Sequence, residues 1–438
     1  MRLTARGALG LAAFVSCAAL AQSETSCPKS MPDGAACYSG QDERGAYYWL
    51  VKPKDWNGVL VVHSHGGPSL NAPRLSTPVS DLERFAVVVK EGFAWAGSSY
   101  RRAGYGMTMA AEDTESVRRI FVAKFGAPRR TLIHGQSWGG GVAAKTIELF
   151  NGATGGKPHY DGALLTSGVL AGNSRAYLYR VDLLAVYRYY CGNLPRPGEP
   201  DFAVWAGLPA SSQLTSKELE ARINECTGAG LARERRSAQQ QRNLANITGV
   251  IRIPERILVR QMDFAVFMFQ DIVHKRLGGR NPFSNARVRY TGSDDDEALN
   301  RGVARFQADA GAAEEFARDG DMTGKVSLPI LAMHAIDDPI IFVEQESAYK
   351  ATLEAAGTSE RLVQTFTREK EHSYLSTPEY AALLQALVSW VEENRKPSPA
   401  SVAALCEAHA PRYEGGCHFD VDYTPRPLDA RQHPRVPP

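Results

Sequence analysis

The sequence predicts an α/β protein: one mainly parallel sheet flanked by helices, with a mostly helical insertion. Three observations predict it. Strand and helix signals alternate from Tyr47 to about Gly168, the alternation stops near Val169, and it resumes at Leu328. A βαβ rhythm implies parallel strands covered on both faces. The 438 residues, 44% hydrophobic and 22% charged, suffice for one large domain plus an insertion.

The first 21 residues read as a signal peptide. Arg2 and Arg6 form a positive start, Ala8 to Leu20 an apolar run, and Ala19-Leu-Ala21 a small-residue cleavage site. Cleavage after Ala21 predicts a secreted or periplasmic protein. A lipoprotein anchor at Cys17 is the alternative. No later stretch reaches about 18 apolar residues, so no membrane span is expected.

Residues 22–168 form the first part of the sheet domain. Tyr47 to Val51 and Val59 to His63 are β-rich runs separated by the Asn57-Gly58 turn signal. Phe93 to Ser99 reads as a strand and Glu112 to Lys124 as a helix. A strand at Thr131 to His134, a helix after Ser137 and a strand at Gly162 to Thr166 follow. Residues 169–325 lack this rhythm and read as helical. Ser174 to Tyr190 carries five tyrosines, Thr215 to Cys226 has a capped start, and Pro254 suits the first turn of a helix through about His274. Residues 326–395 resume the alternation: strand Leu328 to His334, helix Phe342 to Ala356, strand Arg361 to Thr367, helix Pro378 to Asn394. Residues 396–438 form a Pro-rich polar tail.

A net charge of +2 gives no reason to expect a nucleic-acid partner. Without the signal, six cysteines remain: Cys27, Cys37, Cys191, Cys226, Cys406 and Cys417. An even count in an exported chain points to disulfides. The six fall into three sequence-local pairs, predicting Cys27–Cys37, Cys191–Cys226 and Cys406–Cys417. None has metal-ligand spacing.

The chemistry centres on Gly135-Gln-Ser-Trp-Gly139, where an apolar strand turns sharply into a helix. Such a turn exposes the Ser137 hydroxyl beside free helix N–H groups. A serine hydroxyl needs a base, and the base needs a carboxylate to orient it. For this topology the chain order is serine, acid, histidine. Asp337 and Asp338 follow a late strand, and His372 follows the next one, both at strand carboxyl ends where open α/β sheets place their sites. His334, inside an apolar strand, reads as a satisfied buried residue, and His274 as helix-terminal or surface. Ser293 to Glu297 read as an N-cap with acidic residues in a first helical turn, not a calcium loop. Asn246-Ile-Thr248 fits a glycosylation sequon. The tyrosines at 177–190 and the run Phe264 to Phe269 suit either a binding wall or core packing.

These positions, with His65-Gly-Gly-Pro68, resemble the α/β-hydrolase superfamily over roughly Tyr47 to Asn394. The resemblance implies an α/β-hydrolase fold with the insertion standing as a helical lid. It favours Asp338, directly before proline, over Asp337. It implies an oxyanion hole built from the N–H groups of Gly67 and Trp138, although His65 could instead hydrogen-bond the backbone in a plain Gly-Pro turn. The expected activity is ester hydrolysis of a small-molecule or oligomeric substrate through Ser137, His372 and Asp338, with no cofactor or metal. The same motifs also resemble serine aminopeptidases of the proline-iminopeptidase type, though Ser69 stands where those have glycine. A non-catalytic binding protein on this fold is the third reading.

Overall fold

The structure, a computed structural model, describes residues 23–151, 158–372 and 375–435. The expected signal segment and Cys17 lie outside the described residues. Among the described residues, nine strands form a single sheet: β1 Ser23–Thr25, β2 Ala36–Gln41, β3 Tyr47–Lys52, β4 Val59–Ser64, β5 Ala94–Ser98, β6 Arg130–Gln136, β7 Gly162–Thr166, β8 Ile330–Ala335 and β9 Leu362–Thr367. Their spatial order is β1-β2-β3-β5-β4-β6-β7-β8-β9. The first three strands run antiparallel to their neighbours, and every pair from β5 through β9 is parallel. This mostly parallel sheet, wound by helices on both faces, is the α/β-hydrolase fold.

The central strands are apolar at consecutive positions because both faces are covered. In β4, Val59 and Val61 join the core on one face while Leu60 and Val62 join the core on the other. Leu132 and Ile133 of β6 divide the same way. Although the Asn57-Gly58 turn separates β3 from β4 in sequence, the two strands are not paired. β5 lies between them, antiparallel to β3 and parallel to β4.

Between β7 and β8 the chain is helical. Its longer helices are Leu178–Cys191, Ser216–Thr227, Ala238–Ile251, Leu258–Gln270 and Ala310–Gly320. They enclose their own apolar core, which reaches Trp138, Ile340 and Ile341 of the sheet domain. Thr215 caps its helix through a reciprocal bond with Glu218. Pro254 does not begin an α-helix as its position suggested. It precedes a short 3-10 turn at Glu255–Ile257, and the α-helix starts at Leu258 and passes into a π-helical turn over Asp271–Arg276. The helix expected from Phe342 begins only at Gln345. Asp295 caps the helix Asp296–Gly302, with Asp296 and Glu297 in its first turn beside the helix dipole.

Among the described residues, three disulfides join Cys27 to Cys37, Cys191 to Cys226 and Cys406 to Cys417. The second ties the end of Leu178–Cys191 to Ser216–Thr227. The polar tail carries a helix of its own. Ser398 caps a helix over Pro399–His409, whose proline occupies the first turn, where its missing N–H costs nothing. Among the described residues, no helix is long and apolar enough to cross a membrane.

Candidate active site

Ser137 sits between β6 and the helix Trp138–Phe150, with φ 59° and ψ −129°. A non-glycine residue in this region carries about 1–3 kcal/mol of strain, so its surroundings must hold it there. Its N–H donates to Thr166 O at 3.0 Å, and its carbonyl accepts from Gly140 and Val169, both at 2.9 Å. The flanking glycines are a steric requirement. A Cβ on Gly135 would stand 2.0 Å from Gly139 O, and one on Gly139 would stand 2.1 Å from Ser64 O. The serine can be presented on so tight a turn only because Gly135 and Gly139, two positions away on either side, lack side chains.

His372 lies in the loop between β9 and the helix Thr377–Glu393, and Asp338 in the loop after β8. The Ser137 Oγ lies 2.8 Å from His372 Nε2, and His372 Nδ1 lies 2.7 Å from Asp338 Oδ2. The other carboxylate oxygen of Asp338 accepts from the N–H groups of Ile340 at 2.8 Å and Ile341 at 3.0 Å. Burial pushes this carboxyl up, but the charge and hydrogen bond of His372, the charge of His334 and the Ile341 N–H outweigh it. The result lies below the usual carboxylate range. Asp337 is exposed and takes no part in this chain of contacts.

His334 is fully buried behind Asp338. Its Nδ1 meets Glu346 Oε1 at 3.0 Å, and its Nε2 donates to Ile341 O at 2.9 Å. Burial opposes its charge, yet the hydrogen bond and charge of Glu346, with Asp338, raise it above its ordinary value. Glu346 lies on the helix Gln345–Ala356, and nothing in its spacing announced this contact. His274 bonds Leu208 O at 2.9 Å, away from the site.

The loop after β4 brings Gly67 beside Ser137. Gly67 has φ +75°, and a Cβ there would meet no atom within 4 Å. Conformation, not crowding, asks for glycine at this position. The N–H groups of Gly67 and of Trp138, first residue of its helix, have no acceptor among the described residues. His65 is turned away from substrate space and bonds a side chain, not the backbone: its Nδ1 lies 2.7 Å from Asp81 Oδ2. Burial would raise the Asp81 carboxyl, but the charges of His65 and His63 hold it well below the usual range. His63 in turn lies 3.1 Å from His134, forming a buried polar seam beneath the turn that sequence reading did not detect.

A cavity of about 120 Å³ opens on Ser137 and His372. Gly67 and Trp138 border it from the sheet domain, and Tyr177, Arg180, Arg260, Gln261 and Phe264 from the helical region. Tyr177 and Phe264 stack at 5.8 Å and therefore serve as cavity wall, whereas Tyr187 is enclosed in the core. A larger cleft, about 770 Å³, touches Asp337 and Asp338 but neither Ser137 nor His372. The smaller cavity is the candidate site because both Ser137 and His372 line it. The arrangement can deprotonate a hydroxyl, attack an electrophilic carbon and present two N–H groups to a developing charge.

No family model and no curated protein matches this chain. Among solved structures, it is similar to the rice cell wall degrading esterase LipA from Xanthomonas oryzae. That match has 12% identity and a TM-score of 0.38, over 77% of this chain and 83% of that one. It is also similar to feruloyl esterase B from Aspergillus oryzae, at 14% identity and TM-score 0.42, over 83% and 81%. The closed state of Candida antarctica lipase A matches at 13% and 0.43, over 83% and 79%.

Proposed function

We propose that this chain is an exported serine hydrolase that cleaves carboxylic esters through an acyl-enzyme. The observation that carries the reading is the continuous contact from Ser137 Oγ through His372 to the buried carboxylate of Asp338, at 2.8 and 2.7 Å. With Asp338 accepting from Nδ1–H, the lone pair of His372 rests on Nε2, facing the Ser137 hydroxyl. Ser137 attacks the ester carbonyl as His372 takes its proton. The oxyanion is stabilised by the N–H groups of Trp138 and Gly67, each worth roughly 10²–10³ in rate in sites of this kind. His372 then protonates the leaving alcohol, and afterwards draws a proton from the water that releases the acid. No step calls on a cofactor or metal.

The helical region 169–325 serves as a lid, since its side chains complete the cavity beside Ser137 and so shape the space a substrate would fill. Export is supported by the processing signal in the first 21 residues and by three disulfides, which persist in oxidising compartments.

The ester reading is preferred over an aminopeptidase for a specific reason. Recognition of a substrate ammonium requires a carboxylate beside the scissile bond. The cavity wall carries Arg180 and Arg260 and, among the described residues, no aspartate or glutamate. A panel of p-nitrophenyl esters and aminoacyl-p-nitroanilides on the purified protein tests this. Ester turnover without anilide turnover is expected, and the opposite pattern would replace the esterase with a peptidase.

A further inference from the structure

Arg180 is the least explained residue of the cavity wall. It lies on the helix Leu178–Cys191, only 2% exposed, on the apolar face that also carries Tyr177 and Leu184. A guanidinium so buried ordinarily has a carboxylate beside it, because removing an unpaired charge from water is costly. Arg180 has none within ion-pair reach among the described residues. Its Nε donates to Gln261 Oε1 at 2.8 Å. Its plane lies over Phe264 at 4.1 Å, Tyr179 at 4.8 Å and Tyr177 at 5.6 Å. These contacts fix its direction and recover part of the desolvation cost. They leave both Nη groups without a hydrogen-bond partner among the described residues, in a side chain that lines the cavity holding Ser137 and His372.

The surrounding groups cannot supply the missing charge. Burial pushes the phenols of Tyr177 and Tyr179 up to about 12, so both are neutral at physiological pH. Asp338 is committed to His372 and to the N–H groups of Ile340 and Ile341. The Gln261 amide cannot turn away from Arg180 cheaply, because its Nε2 donates to Pro339 O and its Oε1 also accepts from Tyr179. The guanidinium is therefore held toward the cavity from behind, with its fork of donors free. Arg260, exposed and lining the same cavity, adds positive charge at the entrance. A planar fork with two free amino groups matches a carboxylate in bidentate geometry.

We infer that the substrate is an ester bearing a free carboxylate, and that Arg180 anchors this carboxylate while Ser137 attacks the ester carbonyl. The inference rests on the serine-hydrolase reading for the second role but not for the first, since the anion site exists whether or not Ser137 reacts. A cavity of about 120 Å³ suits a compact acid, well below the roughly 300–1,000 Å³ of sites that engulf drug-sized ligands. An arginine present only for packing would leave the choice between charged and neutral ligands unaffected.

The test pairs each carboxylate with a neutral carboxamide of the same shape. Monoethyl succinate, glutarate and adipate are compared with their ω-amides, and acetate esters of ω-hydroxy acids with the corresponding hydroxy-amide esters. This covers a carboxylate on either side of the ester. For at least one pair, kcat/KM should favour the carboxylate by roughly tenfold or more, the scale of a charge-assisted pair of hydrogen bonds. Arg180→Gln should bring that ratio close to one, mainly through KM, and Arg180→Lys should retain only part of it. Binding of hexanoate against hexanamide, measured by calorimetry on the wild-type protein, gives a readout that needs neither turnover nor a folded variant. Hexanoate should bind at least tenfold more tightly. Equal binding of the two, or an unchanged substrate ratio in Arg180→Gln, overturns the inference. Absence of fluorophosphonate labelling at Ser137 would instead remove the hydrolase reading, and the calorimetric comparison would still decide the role of Arg180.

Discussion

Ser137, His372 and Asp338 come from three separate loops, with 235 positions between the serine and the histidine, yet each site is set by a local rule. The serine is fixed by glycines that a Cβ would destroy, the acid by two N–H groups of its own turn, and the histidine by the acid. Ser137→Ala and His372→Ala should each lower kcat by about 10⁴–10⁶, and the double variant should lose little more, because the residues act as a unit. Asp338→Asn should be impaired by about 10⁴, since the amide reverses the tautomer that His372 needs. Asp337→Asn, at an exposed carboxylate, should retain most activity. Steady-state kinetics on one neutral ester checks all four, and a reversal of the two aspartates would reassign the acid. These three candidates could be picked out because each requirement leaves a mark in sequence. Arg180 could not: an arginine in a stretch of tyrosines belongs to no catalytic motif, and its lack of a counter-charge is visible only in three dimensions. A sharper reading could have asked why Arg180 shares the apolar face of Tyr177 and Leu184, three and four positions away.

At the scale of elements, the parallel strands were easiest to read. Burial on both faces gives β4 an apolar run over Val59–Val62 and β8 one over Ile330–Met333, with Leu132-Ile133 at the centre of β6. β2 was harder, because Ala36–Gln41 has no run of large apolar side chains and buries only Cys37 and Ser39. Proline misled at 254, where compatibility with a first helical turn does not oblige the chain to begin an α-helix there. The turn at Ser137 is the element on which the site depends. Gly139→Ala should damage it more than a serine substitution does, since the new Cβ would meet the Ser64 carbonyl at 2.1 Å and backbone cannot move aside cheaply. We expect that variant to lose several °C in Tm along with activity, whereas Ser137→Ala should keep wild-type stability or exceed it once its hydroxyl is gone. Thermal unfolding of the two variants side by side checks this. Normal Tm and activity in Gly139→Ala would mean that the turn tolerates a side chain after all.

For the whole molecule, covalent and ionic constraints act together on stability. Reducing the disulfides should cost about 2–4 kcal/mol each through the unfolded chain, with Cys191–Cys226, which spans 35 residues, contributing most. Chemical denaturation of single-pair serine variants measures the ranking. Protonation adds a pH dependence with two signs. His334 is raised above 6.5 in the folded protein, so its contribution is complete below that pH and is lost as pH rises through the folded value. Asp81 is lowered below 3.8, so its contribution is complete above that pH and is lost as pH falls. The stability difference between wild type and His334→Gln should therefore shrink toward alkaline pH, and that between wild type and Asp81→Asn toward acid. Denaturant titrations across pH give both differences directly; a gap for His334→Gln that widened with pH would contradict the raised value. The central claim is that Ser137 is a nucleophile activated by His372. Reaction of the mature protein with a fluorophosphonate, followed by intact-mass analysis and peptide mapping, tests it most directly. The account predicts one adduct per chain, on Ser137, with labelling slowed by orders of magnitude in His372→Ala. An unlabelled protein, or an adduct on another residue with Ser137 free, would contradict it.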